Sequence, residues 1–307
     1  MSYANVPLVT VGIPFYNARA TLADAIRSVF AQRLADWELV LVDDGSTDDS
    51  GSIARSVADS RVRVVSDGRN LGLAARLNQL AAEARAGLLA RMDADDLMRP
   101  DKLAAQAEFL AANPAVDVVG TGMYILGAGG RAVAKRLPTA APLSARRVLA
   151  GTGLMHATVM GRTDWFRRNP YDPARPPVYP LAEDFELWCR TSDRSRFANL
   201  PACLYCCTEH ASFSLAKYAR ASRSVARARW QHGSRLLGRL PAGVLCARQL
   251  LKIPVYAAAV GLGLHHRLIA RRSVGLAAGE VEQVAADVAR IRATPLPLRR
   301  GAAGAAS

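Results

Sequence analysis

Three carboxylates, Asp93, Asp95 and Asp96, close the stretch LLARMDADD in a chain whose formal net charge is +14. Acidic groups this near one another repel, and a bound cation would relieve that. In an extended segment residues i and i+2 point the same way, so Asp93 and Asp95 would face one point and Asp96 another. Magnesium or manganese is commonly held by one or two carboxylates, with water and substrate phosphate completing the shell. An acidic turn ahead of a helix starting near Pro100 accounts for the same residues without any metal.

Two further acidic groups stand beside turn-forming residues. In VDDGSTDDS (42–50), Gly45 suits a tight turn, Ser46 or Thr47 a helix cap, and Asp48 and Asp49 the positive end of a helix. That leaves Asp43 and Asp44, whose carboxylates could accept hydrogen bonds from a nucleobase edge or a ribose. Tyr16, in PFYN, could offer a ring for a base to stack on, or simply pack. In YPLAEDFELWCR (179–190), Glu183 and Asp184 open an amphipathic turn, where acids are ordinary partners of the helix dipole. They could equally supply a general base for a hydroxyl nucleophile. Cys203, Cys206 and Cys207 lie near His210, but no second ligand pair has structural-zinc spacing, and buried small hydrophobes describe them better.

The elements that must position these groups follow from the apolar pattern. LVTVGI (8–13), ELVLVD (38–43), VRVVS (62–66) and GLLARM (87–92) read as strands. Segments 20–32, 48–58 and 72–84 have helical spacing, and VDVVGTGMYIL (116–126) and residues 157–160 read as further strands. Strand–helix alternation implies parallel pairing with helices on the sheet faces, and the ligand crevice then lies outside the carboxyl ends of the strands. PFYN, DDGS and DADD all follow strands, so the three segments are expected on one rim.

At 307 residues, half of them apolar, the chain can build one large domain with an appendage. The expected division is a catalytic domain at 1–212 and a basic helical region at 213–307. Between Lys217 and Arg272 there are twelve Lys and Arg and no Asp or Glu, so the charge excess belongs to one segment. Sparse aromatics and the lack of a recognised motif argue against nucleic acid as its partner. An anionic membrane surface fits flanking cations around an apolar centre; the run after Lys252 reads as too short to span. The N-terminus lacks the pattern of a secretory signal, and five cysteines fit reduced thiols. The expected location is cytoplasmic, with peripheral docking on the inner face of the cell membrane.

PFYN, VDDGSTD, RNLGLAARLN, MDADDLMRPDKL and AEDFELWCR occur in the order and spacing of family 2 glycosyltransferases, which they resemble over roughly the first 210 residues. The resemblance implies an α/β GT-A fold: a mostly parallel central sheet with helices on both faces, here followed by the helical basic extension. It implies Asp93 and Asp95 as ligands of Mg2+ or Mn2+ at the donor diphosphate. It also implies Asp44, with Asp43 beside it, at the nucleoside, Tyr16 with Pro14 at the base, Arg69 and Asn70 near the donor, and Asp184 as catalytic base. Residues 156–160 and 204–214, with His210, resemble landmarks around the acceptor. The implied partners are a nucleoside-diphosphate sugar and a glycan or lipid-linked acceptor, in cell-surface polysaccharide synthesis. The Q-x-x-R-W motif of processive synthases is missing, and RNPYD (168–172) replaces a Gly-Gly-Tyr-Asp turn.

An inverting, in-line displacement is the expected reaction, since no second positioned nucleophile stands out for a retaining route. Two rivals remain. A catalytically silent sugar-nucleotide-binding module would not need Asp93, Asp95 and Asp184 together. A sugar nucleotidyltransferase would need a basic glycine-rich loop after the first strand, where this chain has GIPFYN.

Overall fold

The computed structural model describes residues 6–139, 143–151, 153–174, 177–208, 214–270 and 273–299. The first half alternates β1 (Val9–Phe15), α1 (Leu22–Phe30), β2 (Trp37–Asp43), α2 (Ser50–Ser56), β3 (Val62–Ser66), α3 (Leu73–Glu83) and β4 (Leu88–Arg91). β1 pairs in parallel with β2 and β4, and β2 with β3. Alternation of apolar side chains explains why helices cover both faces: Leu39 and Leu41 enter one core cluster with α1, Val40 and Val42 another with α3.

The chain continues through β5 (Leu97–Met98), α4 (Lys102–Ala112), β6 (Val118–Leu126), β7 (Ala132–Arg136), α5 (Ala145–Ala150), β8 (Met160–Arg162), α6 (Thr163–Arg168), α7 (Glu183–Thr191) and β9 (Phe197–Thr208). The sheet order is β3-β2-β1-β4-β8-β6-β9-β5, with β7 on β6. β5, β7 and β8 run antiparallel to their neighbours, while β6 and β9 are parallel. The architecture is α/β of GT-A type. Residues 157–160, expected as a strand, instead lie largely in a 3-10 turn at His156–Thr158, and the strand starts at Met160. The Thr158 hydroxyl donates to Met155 O at 2.8 Å and accepts from Thr121 N at 3.0 Å, which favours a turn over an extended path.

Beyond β9 come α8 (Leu215–Leu237), α9 (Arg239–Leu250), α10 (Lys252–Gly261), α11 (His265–Ala270) and α12 (Glu280–Ala293). The boundary expected near residue 212 falls at 209–213, outside the described residues. α8 and α9 pack against each other and are tied to α5 by Arg229, which is 5% exposed. Its guanidinium donates to Leu149 O (2.8 Å), Ala150 O (3.0 Å) and Gln249 Oε1 (3.1 Å). α12 returns to the sheet: Val284, Val288 and Ile291 pack with Leu97, Tyr124 and Cys206, and Asp287 pairs with Arg99 at 2.7 Å.

Candidate active site and its relatives

The three loops at the carboxyl ends of β1, β2 and β3 are joined by short polar contacts. Asn17, in a left-handed conformation (φ 49°), accepts from Thr47 N at 2.8 Å through its side chain, and its own N–H donates to Ser46 Oγ at 3.1 Å. Gly45 turns with φ +77°, and a Cβ there would lie 2.8 Å from the Arg69 carbonyl carbon, so only glycine lets the second and third loops touch.

Asp43 and Asp44 are both buried. Asp43 accepts from Ser46 N at 2.8 Å and Ser66 Oγ at 3.1 Å. Asp44 accepts from Leu71 N (2.6 Å), Gly72 N (3.0 Å) and Arg76 Nε (2.9 Å). Arg76 is 1% exposed and also reaches Asp67 and the Arg69 carbonyl. That bond pulls the Asp67 carboxyl down to about 2. Asp44 is thus the anchor of the loop carrying Arg69 and Asn70, both of which face solvent. This anchoring was not visible in the spacing of the motif.

Pro14, Tyr16, Asn17, Arg19, Asp93 and Asp95 line one cleft of ≈ 490 Å³. The Tyr16 ring is half exposed at its edge, free to meet a planar group. Asp93 and Asp95 lie in a turn between β4 and β5, rather than in the extended segment expected. Asp96 does point away, as expected: it is 3% exposed and accepts from Thr208 N at 3.1 Å. Burial, then the nearby Asp93 and Asp95, push its carboxyl up to about 7. Tyr205, fully buried on β9, accepts from Asp93 N at 3.1 Å and bonds the Asp96 carboxylate, fixing the turn from below.

Arg91 is the residue that sequence reasoning missed. It ends β4, is 6% exposed, and pairs with Asp93. Burial opposes its charge and Asp93 supports it, and the net direction is upward. Asp184, at the first turn of α7, feels both Arg91 and Asp93. Burial raises the carboxyls of Asp184 and Glu183 above the ordinary range. Tyr171 and His156 complete this wall, hydrogen-bonded at 2.9 Å, and burial with the Arg91 charge holds the imidazole neutral. The available signal was a lone arginine inside the apolar run LLARM.

On the other side of the α7 N-terminus is an apolar cleft of ≈ 550 Å³, whose lining includes Leu71, Asp172, Tyr179, Glu183 and Arg220. Glu186, one turn along α7, accepts from His232 Nε2 at 3.1 Å and Arg190 Nε at 2.8 Å, linking α7 to α8. Cys203 and Cys206 are buried against α12, and all five cysteines are free thiols. No group of three or more His, Cys, Asp or Glu able to hold a metal occurs among the described residues, and His210 lies outside them.

Residues 10–172 match the family described as glycosyl transferase family 2. The chain belongs to that family. This glycosyltransferase is 35% identical over 205 residues to the putative glycosyltransferase EpsE of Bacillus subtilis, covering 65% of this chain and 72% of EpsE. It is 39% identical over 106 residues to the putative teichuronic acid biosynthesis glycosyltransferase TuaG of the same organism, covering 34% of this chain and 42% of TuaG. Among solved structures it is similar to S. aureus TarS 1-349 in complex with UDP (TM-score 0.59, 19% identity, 79% of this chain and 70% of that one). The mannosyltransferase PcManGT from Pyrobaculum calidifontis in complex with GDP-Man and Mn2+ is also similar (TM-score 0.56, 17% identity, 95% and 86%). At these identities the two structures bear on the fold.

Proposed function

We propose that this glycosyltransferase moves a sugar, with inversion, from a nucleoside-diphosphate sugar to a hydroxyl of a glycan or lipid-linked acceptor during cell-surface polysaccharide synthesis. The observation that carries the proposal is that Pro14, Tyr16, Asp93 and Asp95, from the ends of β1 and β4, line one cleft, with Asp93 paired to the buried Arg91 whose charge also reaches Asp184. The relative named for teichuronic acid biosynthesis supports the polysaccharide setting, and the five free thiols suit a reducing, cytoplasmic compartment.

In this scheme the nucleoside lies against Tyr16 and Pro14, over the loop that Asp44 holds, with Asp43 below and Arg69 and Asn70 at its rim. Asp93 and Asp95 supply the hard oxygen donors that Mg2+ or Mn2+ takes, and their number suits a metal that shares its shell with water and phosphate. Such an ion, when bound, offsets charge on the departing diphosphate. Asp184 accepts the proton of the acceptor hydroxyl; its raised carboxyl makes it a stronger base than a solvated aspartate. Glu183 lines the second cleft, one residue away, which offers the acceptor an approach to that base. His156, kept neutral by burial and the Arg91 charge, adds no second cation to this wall.

The test is transfer from a panel of nucleotide sugars, with the anomeric configuration of the product read by NMR. Release of nucleoside diphosphate and an inverted product are expected. Release of pyrophosphate would favour the nucleotidyltransferase, binding without turnover the silent module, and retention would refute the displacement.

A further inference from the structure

Residues 239–261 form a near-continuous helical run, because Leu251 between α9 and α10 keeps helical angles (φ −61°, ψ −20°). The apolar run after Lys252 is short on its own; joined to α9, Arg239–Gly261 has the length and composition of a spanning helix, yet only 17% of its most apolar window is buried. Along it the large exposed apolar side chains recur at intervals of eleven: Leu240 (86% exposed), Leu251 (64%) and Leu262 (71%), with Val244 (58%) and Val255 (56%) between them. Eleven residues are close to three helical turns, so these five side chains form one stripe about 33 Å long. The opposite side holds Ala242, Gln249 and Tyr256, which are buried. Tyr256 stacks on Tyr218 of α8 with ring centroids 4.2 Å apart. One side is therefore packed on protein, and the other is a row of leucine and valine in water.

Arg248 and Lys252 flank the stripe and are exposed, Arg239 and Arg267 stand near its ends, and no acid occurs from Lys217 to Arg272. Cations at mid-length beside a helix packed on one side disfavour crossing a bilayer and favour lying in its surface. We propose that the α9–α10 stripe docks peripherally on an anionic bilayer, its leucines among the acyl chains and its cations on the headgroups. A second copy of the chain would bring two such basic segments together, and a nucleic acid would meet leucine where it needs rings to stack on. Arg229 of α8 ties α9 to α5, and His232 of α8 bonds Glu186 of α7, so through α8 the docked face holds the Asp184 end of α7 in a fixed attitude to the lipid.

The experiment is co-sedimentation of the full chain with vesicles of phosphatidylcholine alone or mixed with phosphatidylglycerol, at about 50 mM and about 500 mM NaCl, followed by carbonate extraction. Binding is expected on anionic vesicles at low salt, weakened at high salt and released by carbonate. The triple variant Leu240→Glu, Leu251→Glu, Val255→Glu, on exposed positions and checked for an unchanged melting temperature, should lose about ten-fold or more in partitioning; Arg248→Glu with Lys252→Glu should lose the preference for phosphatidylglycerol. Absence from anionic vesicles at low salt, equal binding to both vesicle types, full binding by the triple variant, or a lipid-free dimer that this variant dissociates would each overturn the proposal. The readout is sedimentation, so it stands or falls separately from the transfer reaction.

Discussion

Replacing Arg76 by methionine tests whether Asp44 is the anchor of the donor loop. Arg76 is 1% exposed and its Nε lies 2.9 Å from Asp44 Oδ1. Methionine fills much of the space but leaves a buried carboxylate facing only the Leu71 and Gly72 amides. Removing one partner of a buried ion pair costs about 3–5 kcal/mol. Because two amide donors remain, we expect the lower end, about 3 kcal/mol, or about 5 °C in melting temperature for a chain of this size. Asp44→Asn alone removes the charge that makes the loss of Arg76 costly, so the double variant should be less destabilised than the sum of the singles by about 1.5 kcal/mol or more. Scanning calorimetry on the four proteins, with titration of nucleoside diphosphates, measures both the coupling and the loss of donor affinity as the 69–72 loop loosens. Additivity within about 0.5 kcal/mol, or unchanged nucleotide affinity, would refute the reasoning.

Asp184→Asn should lower the transfer rate by about 100-fold or more while nucleotide-sugar binding, followed by calorimetry, persists. Since burial raises the Asp184 carboxyl, the group is an active base only above that raised value; kcat/KM should fall as pH drops through it, with a midpoint above that of a solvated aspartate. Gly45→Ala should lower both stability and donor affinity by roughly ten-fold or more in binding, because a left-handed turn and the Arg69 backbone both oppose a Cβ. Lys102 is fully buried, its Nζ has no hydrogen-bond partner among the described residues, and burial with the Arg91 charge pushes it down to about 7. The folded protein therefore binds fewer protons than the unfolded chain between about 7 and the ordinary lysine value, and stability rises with pH there. Lys102→Met should stabilise by on the order of a few kcal/mol at pH 7, with the gain vanishing above pH 10, as urea unfolding at several pH values would show.

What the sequence made legible was what depends on short-range pattern. The alternating apolar runs, each followed by Pro, Gly, Asn or Asp, located β1 to β4 and hence the rim on which Tyr16, Asp93 and Asp95 meet. What it concealed depends on partners distant in the chain. Asp44 and Arg76 are thirty-two residues apart, Asp93 and Tyr205 more than a hundred, and no spacing rule couples them. Arg91 passed as the end of a strand because burial, not type, makes it the charge around which the site is arranged. The α9–α10 stripe was cut short by Lys252, which interrupts a linear apolar window but not a helical face. The same limit applied to 157–160, where a hydroxyl bonding back to its own turn outweighed a β-rich composition.

The return of α12 to the sheet has a practical consequence for anyone shortening this chain. A fragment ending at residue 212 would strip the wall from Leu97, Tyr124 and Cys206 and leave Arg99 and Lys135 without Asp287 and Glu280. Leu97 is one residue from Asp96, so the damage would begin next door to the turn that carries Asp93 and Asp95. A fragment that keeps this wall on the sheet therefore has to include α12.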